Sequence, residues 1–359
     1  MEPFVLDREF NRVGILDKFE SLLWTERFQS YGDFEIYTAI TQENVNLLRE
    51  NYYLEDRDSE QVMIIEDIEF NSNSDVGNHL IVTGRSLESI LDRRIVWVQT
   101  ILDGYLQGQV EKLLNQNAIN PDDPNRKIPG LVFKPSEDER ITSLKVSIQF
   151  TGDNLYDAIV TICQTANIGW RITLSEDREF VFELYMGEDR SYEQTKNPYV
   201  IFSPKFDNLI NSNYLQSKKT LKTVTLVAGE EQGTARRTTT VYPGEDTAET
   251  NVGLDRRELY TDARDISSTV EGGELTNDEY TALLVQRGTE KLAENTEVKT
   301  FEGQIESRTM FIYGQDYFRG DIVQVTNEYG IDARSRISEV IHSESVEGID
   351  VYPTFELLE

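Results

Sequence analysis

Short runs of β-branched and aromatic residues, each closed by a turn signal, fill the first hundred positions and return after position 211. This punctuation limits the fold more than anything else in the chain, because alternating runs of that length suit pleated strands and little else. Residues 4–7, 12–17, 22–28 and 33–39 read as strands, with Tyr31-Gly32-Asp33 marking the turn between the last two. A short helix is expected over 43–49 with Thr41 as its N-cap. Strands follow at 52–56, 61–71 and 79–84. Asn73-Ser74-Asp75-Val76-Gly77 forms the hairpin loop between the last pair, and Ser86-Leu87-Glu88 opens another short helix to about 93.

From position 99 the periodicity changes. Leu106, Val110, Leu113 and Leu114 recur at helical spacing within 104–117. Residues 120–125 read as a loop and 145–150 as a strand. Asp153 is the expected N-cap of a helix whose apolar face is Leu155, Ile159, Ile162, Cys163 and Ala166. Strands at 170–174 and 180–185 close this stretch. After 211 the strand pattern resumes at 223–227 and 237–242. Residues 243–275 are polar, acidic and glycine-containing, and are expected to be an exposed insertion. Thr276 and Glu279 make a capping-box signature for a helix to about 295, with Tyr280, Leu283, Leu284 and Leu292 on its apolar side. Strands at 298–306, 321–326, 335–344 and 351–357 complete the chain. The expected class is a β-rich α+β multidomain protein. A first β domain covers 1–98 and is completed by about 191–210. An α+β domain is inserted at 99–190, a second β domain spans 211–359, and an acidic helical insertion lies within it at 243–297.

Charge narrows the function classes. With 35 Lys and Arg against 65 Asp and Glu the net charge is -30. Nucleic acid is held by clustered cations that neutralise phosphates, so stable DNA binding is not expected, and an anionic membrane surface is disfavoured likewise. The start MEPFVLDREF lacks a basic region followed by an apolar run, and no run of 18 apolar residues occurs. Neither a signal peptide nor a membrane anchor is therefore expected. The single cysteine, Cys163, precludes an internal disulfide and reads as a buried structural thiol.

No residue is assigned to catalysis, cofactor binding or metal binding, and no cofactor is expected. His79 and His342 are far apart, where a metal site would want more His or Cys at close spacing. No phosphate loop, dinucleotide fingerprint or nucleophile elbow is present. Among the many carboxylates, Glu66, Asp67 and Glu69 read as the solvent side of a strand, and Arg93-Arg94 as closing salt bridges. Trp24, Trp97 and Trp170 are expected in the core. Two other readings stay open: a cell-wall hydrolase with a carboxylate pair in a deep cleft, and a carbohydrate-binding adhesin with exposed aromatic platforms.

Three blocks add a resemblance. They are Leu22-Leu23-Trp24-Thr25-Glu26-Arg27-Phe28 followed by Tyr31-Gly32-Asp33-Phe34-Glu35-Ile36, then Met63-Ile64-Ile65-Glu66-Asp67-Ile68-Glu69, then Thr83-Gly84-Arg85-Ser86-Leu87-Glu88-Ser89-Ile90-Leu91-Asp92-Arg93-Arg94. In this order they resemble the siphovirus ReqiPepy-type tail protein family, which is similar in fold to the baseplate hub protein of contractile phages. The blocks lie within residues 1–95, and the resemblance extends along the chain. It implies two tail-tube-like β-barrel domains built from the two β regions, with the α+β and helical segments as insertions. It further implies a homotrimeric ring in the virion, at the tail tip, assembled in the host cytoplasm. Such a ring would sit below a distal tail protein or tail-tube ring, with tape measure protein in its lumen and tip fibre or receptor-binding proteins attached. DNA would pass through without specific binding, past an acidic channel wall. The chain ends at Glu359 directly after a strand, so a fused lytic tip is not expected.

Overall fold

A computed structural model describes the chain apart from residues 74–76, 271–272, 306–309, 331, 347 and 359. The first region contributes β1 (Phe4–Leu6), β2 (Arg12–Ile15), β3 (Ser21–Arg27), β4 (Asp33–Ala39), β5 (Tyr53–Glu55), β6 (Val62–Asn73) and β7 (Gly77–Ser86). Helix α1 (Gln42–Leu47) starts where Thr41 accepts the Asn44 N–H, and a 3-10 turn covers Leu87–Arg93. The tip of the β6–β7 hairpin lies outside the described residues. The first half of β6 is buried on both faces, which explains its unbroken apolar run. Val62 and Ile64 face the core of the following module, while Met63 and Ile65 face the first region's own core with Trp24, Phe34 and Ile36.

The module holds β8 (Thr100–Tyr105), α2 (Leu106–Leu114), β9 (Leu131–Lys134), α3 (Glu139–Thr142), β10 (Lys145–Phe150), α4 (Leu155–Thr165), β11 (Gly169–Leu174) and β12 (Phe180–Tyr185). The helix expected within 104–117 begins at Leu106, with Leu106, Val110, Leu113 and Leu114 buried, and residues 100–105 before it pair with β10 as a strand. At α4 the N-cap is Asn154, whose side chain accepts the N–H groups of Tyr156 and Asp157, and not Asp153. Two small sheets, β10–β8 and β11–β12–β9, pack with α2 and α4 around Trp170, Phe182 and Leu113.

The last region contains β13 (Ile201–Phe202), β14 (Leu209–Ser217), β15 (Val224–Ala228), β16 (Thr238–Val241), β17 (Glu258–Asp262), β18 (Thr269–Val270), β19 (Gly273–Glu274), α5 (Asn277–Ala293), β20 (Val298–Ile305), β21 (Ile322–Thr326), β22 (Asp332–Ser345) and β23 (Gly348–Leu357). Helix α5 carries the full reciprocal capping box of Thr276 and Glu279. It packs on the sheet β16–β15–β17. The contact closes tightly at Gly288, where an added Cβ would lie 2.6 Å from a Val241 methyl. This small unit therefore begins before position 243. Its acidic segment is exposed only in part, since β17 pairs with β15 and both Ala263 and Ile266 are buried.

Thirteen strands form one sheet in the order β14-β20-β23-β22-β3-β4-β7-β6-β5-β1-β2, with β13 and β21 joined to it at β22. The expected pair of closed barrels is not what is seen: among the described residues no sheet closes on itself. Strand β22 forms the seam between the two β regions: Ser335–Ser345 pairs with β23, Asp332–Arg336 with β21 and Glu339–Ser345 with β3, aligning His342 with Trp24. Segment 191–210, expected to complete the first β region, instead gives β13 to β21 in parallel. Two separate apolar cores, one around Trp24 and Phe34 and one around Phe202, Phe301 and Phe355, line this single sheet.

Candidate functional site

Alternation along β3 places Leu22, Trp24 and Glu26 at the same parity, so a carboxylate enters an otherwise apolar buried row. A charge there is tolerable only with partners. Ser59 Oγ donates to Glu26 Oε1 at 2.6 Å and accepts from Trp24 Nε1 at 3.2 Å. Tyr313 OH donates to Glu26 Oε2 at 2.6 Å, and Arg319 Nη1 stands 3.8 Å from the same oxygen. Arg319 Nε donates to Tyr185 OH at 2.9 Å. One network thus ties the first region, the module and the last region together. Behind it, Glu88 is wholly buried and accepts from Gln61 Nε2 at 3.2 Å and from the Ile172 N–H at 3.3 Å. Burial, opposed by Arg319, pushes its carboxyl above the usual range. Burial also raises Tyr313, helped by Glu26, and lowers His342, whose ring lies 5.2 Å from that of Tyr313.

Backbone approach helps build this junction. An added Cβ at Gly187 would lie 2.0 Å from the Gly320 carbonyl oxygen, so the exit of β12 can cross the Arg319 loop only without a side chain. Phe28, at the end of β3, meets Tyr185 edge-on and lies under the Arg336 guanidinium. A cavity of about 770 Å³ opens beside the network. Three of its carboxylates are matched with cations: Glu60 with Arg171, Asp321 with Arg190 at 2.7 Å, and Glu188 with Arg140 at 2.9 Å. Burial raises the Asp321 carboxyl, but Arg190 and the Glu188 and Phe318 N–H groups hold both of its oxygens. A glycoside hydrolase needs a free proton-bearing carboxyl set against a second carboxylate. Here Glu60, Glu188 and Asp321 are bound into ion pairs that tie the regions together. Among the described residues no group of three or more His, Cys, Asp or Glu is placed to hold a metal.

The residues singled out by sequence scatter. Cys163 is buried in α4, and burial pushes its thiol up. His79 stacks on Tyr37 at 4.4 Å, and His342 faces the junction on β22. A bulge between Ile65 and Asp67 turns Glu66 to Arg85 at 2.7 Å and leaves Asp67 and Glu69 exposed. Trp24 and Trp170 are fully buried, the latter donating to the Gln29 carbonyl. Two readings need correction. Trp97 is 65% exposed, because Val96 beside it takes the inward position. Arg93 and Arg94 close no salt bridge among the described residues, and Arg94 donates instead to the carbonyls of Arg93, Arg126 and Lys127. The network residues Glu26, Ser59, Tyr185, Tyr313 and Arg319 were missed. The parity of Glu26 with Leu22 and Trp24 was the available signal.

The Siphovirus ReqiPepy6 Gp37-like protein family model matches residues 2–355. No curated protein matches the chain. Among solved structures, the 43 kDa tail protein of prophage MuSo2 from Shewanella oneidensis aligns with TM-score 0.58 at 10% identity, covering 99% of this chain and 98% of that one. A tail protein from Neisseria meningitidis aligns with TM-score 0.55 at 15% identity over 99% and 96% of the two chains. Prophage tail protein gp18 from Listeria monocytogenes gives 0.51 at 14% identity over 99% and 94%. At such identities the likeness is one of fold.

Proposed function

The chain belongs to the Siphovirus ReqiPepy6 Gp37-like protein family, and on that premise we propose that it is a structural hub of the phage tail tip or baseplate, not an enzyme. The observation that carries this reading is end-to-end likeness to phage tail proteins, together with one sheet that binds both β regions of the chain. In the proposed role three copies form a ring in the virion that continues or closes the tail tube. Residues 1–98 and 211–359 supply the tube-like parts, while 99–190 and 243–297 face neighbours. A distal tail protein or tube ring sits above, tape measure protein occupies the lumen, and tip fibre or receptor-binding proteins attach below. DNA passes without specific binding, in keeping with the charge of -30. Assembly takes place in the host cytoplasm. No helix among the described residues is long and apolar enough to cross a membrane.

Averaging of isolated tails by electron microscopy tests the reading. Threefold density for this chain around an open axis is expected, and twofold or sixfold symmetry of its layer would overturn it. A carbohydrate-binding adhesin has the exposed Trp97 in its favour. However, the Arg126 guanidinium lies 4.9 Å from the centre of that ring and occupies a face a sugar would stack on.

A further inference from the structure

One cation stands among two buried carboxyl groups at the junction of the three regions. Glu26 on β3, Arg319 in the 311–321 segment and Glu88 in the 3-10 turn after β7 are all buried. The two carboxyls are served unequally. Both Glu26 oxygens accept hydrogen bonds at 2.6 Å, and Arg319 Nη1 stands 3.8 Å from one of them. Glu88 accepts through Oε1 alone, from Gln61 Nε2 at 3.2 Å and from the Ile172 N–H at 3.3 Å, and its Oε2 has no partner. Arg319 gives its Nε to Tyr185, while its Nη1 makes no hydrogen bond.

A single guanidinium balances one carboxylate. A second carboxylate, wholly buried and with a bare oxygen, would lose its hydration and gain no donor in exchange. Nothing else nearby supplies the missing positive charge. The elements packed on this turn are β6, β7, α4 and β11. Arg85 of β7 is held by Glu66 of β6 and by Asp92, and Arg171 of β11 by Glu60 and Glu183. His79 of β7 stacks on Tyr37. Asp67 and Glu69 of β6, Asp157 of α4 and Arg93 at the end of the turn are exposed. Burial pushes up the phenols of Tyr156 and Tyr185 and the Cys163 thiol, so these stay uncharged.

We infer that Glu88 is a proton lock for this junction: protonated, it leaves Arg319 to Glu26, and ionised, it draws the guanidinium away and loosens the tie between β3 and the last region. Burial, opposed by Arg319, holds the Glu88 carboxyl above its usual range, which agrees. The folded chain thus carries a proton here that the unfolded chain releases. Stability from this group is full below the ordinary carboxyl range and falls as pH rises above it.

Proton release on unfolding of the full chain at pH 6, read by calorimetry in buffers of different ionisation enthalpy, tests the lock. Wild type should release about one proton more than Glu88→Gln. Between pH 5 and pH 6 the folded-to-unfolded ratio of wild type should fall by roughly eightfold relative to that of Glu88→Gln. In a Glu26→Gln background Arg319 has no other claimant, so there the excess from Glu88 should drop well below one proton. Equal release by wild type and Glu88→Gln overturns the lock. An undiminished excess in the Glu26→Gln background overturns the sharing of Arg319. Glu88→Met, uncharged and of similar volume, takes the place of Glu88→Gln should that protein not fold. If neither folds at any pH, a neutral side chain does not suit the site, and the lock is overturned likewise.

Discussion

The molecule has two joints between its parts, and they are built differently. At the first, Arg319, Glu26, Tyr313, Ser59 and Tyr185 join three regions, and both oxygens of the buried carboxylate accept hydrogen bonds at 2.6 Å. At the second, α5 of the small unit lies on α4 and β10 of the module. There the buried Glu290 stands 3.7 Å from Arg287 Nε and accepts from Gln286 Nε2 at 3.1 Å. Arg287 reaches the Gln149 carbonyl at 3.3 Å, and both polar atoms of the buried Gln149 side chain lack a partner. Both joints hold buried side-chain atoms without a hydrogen-bond partner, Arg319 Nη1 with Glu88 Oε2 and Gln61 Oε1 behind it at the first and the two of Gln149 at the second. They differ in that Glu26 accepts through both oxygens while Glu290 accepts from Gln286 alone. A buried carboxylate with fewer hydrogen bonds is the costlier one to hold, so the small unit is expected to separate first.

The largest expected effect comes from stripping the first joint. Arg319→Ala leaves Glu26 buried without its cation, and removing one partner of such a pair costs about 3–5 kcal/mol. Denaturant midpoints should report that loss. The double variant Glu26→Gln, Arg319→Met should recover much of it, because no bare charge remains. A single-variant loss under about 1 kcal/mol would remove the distinction between the joints.

The second joint should respond to pH. Burial, opposed by Arg287, raises Glu290 to about 7 from 4.5. Below 4.5 both folded and unfolded chains hold the proton. Between 4.5 and about 7 the folded chain keeps a proton that the unfolded chain has released, so stability falls as pH rises. At about 1.4 kcal/mol per unit, the fall amounts to at most roughly 3 kcal/mol. His342 acts in the opposite sense. Burial lowers its pKa below 6.5, so its contribution is present above 6.5 and is lost as pH falls below it. Comparison of wild type with Glu290→Gln isolates the first effect. Hydrogen exchange in α5, corrected for intrinsic rate, should accelerate from pH 5 to pH 8 in the wild type and stay flat in the variant. Equal slopes in the two proteins would show that Glu290 titrates normally.

Local chemistry made much of the fold legible. The bounds of β4, β10 and β12 agree with the strand pattern, and Thr276 with Glu279 announced α5. Pairing over long separations left no such mark. Arg27 bonds Glu339 across 312 positions, and neither strand's own pattern reveals that the other will lie beside it. The single sheet that joins the two β regions was illegible for that reason. Trp97 failed because an apolar neighbourhood in sequence does not say which of Val96 and Trp97 turns inward. The junction was hidden because its five polar side chains lie on β3, the 57–60 loop, β12 and the 311–321 segment, and meet only after the seam forms.

Within the first joint, Ser59 offers a smaller test. Its hydroxyl donates to Glu26 and accepts both the Trp24 indole N–H and the Gln61 N–H, the last at 3.0 Å. Ser59→Ala leaves a fully buried Trp24 donor unpaired, for a loss of about 1–3 kcal/mol. Trp24→Phe, Ser59→Ala together should cost less than the sum of the two single changes, since both act on one bond. Strict additivity in thermal or chemical unfolding would show that the indole finds another partner.

The smallest effect belongs to Lys291, and it sharpens the comparison through its pH dependence. Lys291 Nζ pairs with Glu294 at 2.7 Å one turn along, with both side chains more than a third exposed. Exposed pairs of this kind contribute little, so Lys291→Ala should change stability at neutral pH by less than about 0.5 kcal/mol. The same ammonium also lowers the pKa of Glu290 and of Asp157 across the joint on α4. Without it both carboxyls hold their protons to higher pH. The window in which the folded chain binds extra protons then widens upward, and the fall in stability with pH extends to higher pH. A Lys291→Ala protein whose pH profile overlays that of the wild type would mean that α4 and α5 do not share an electrostatic joint. The small unit would then be held by its apolar contacts alone.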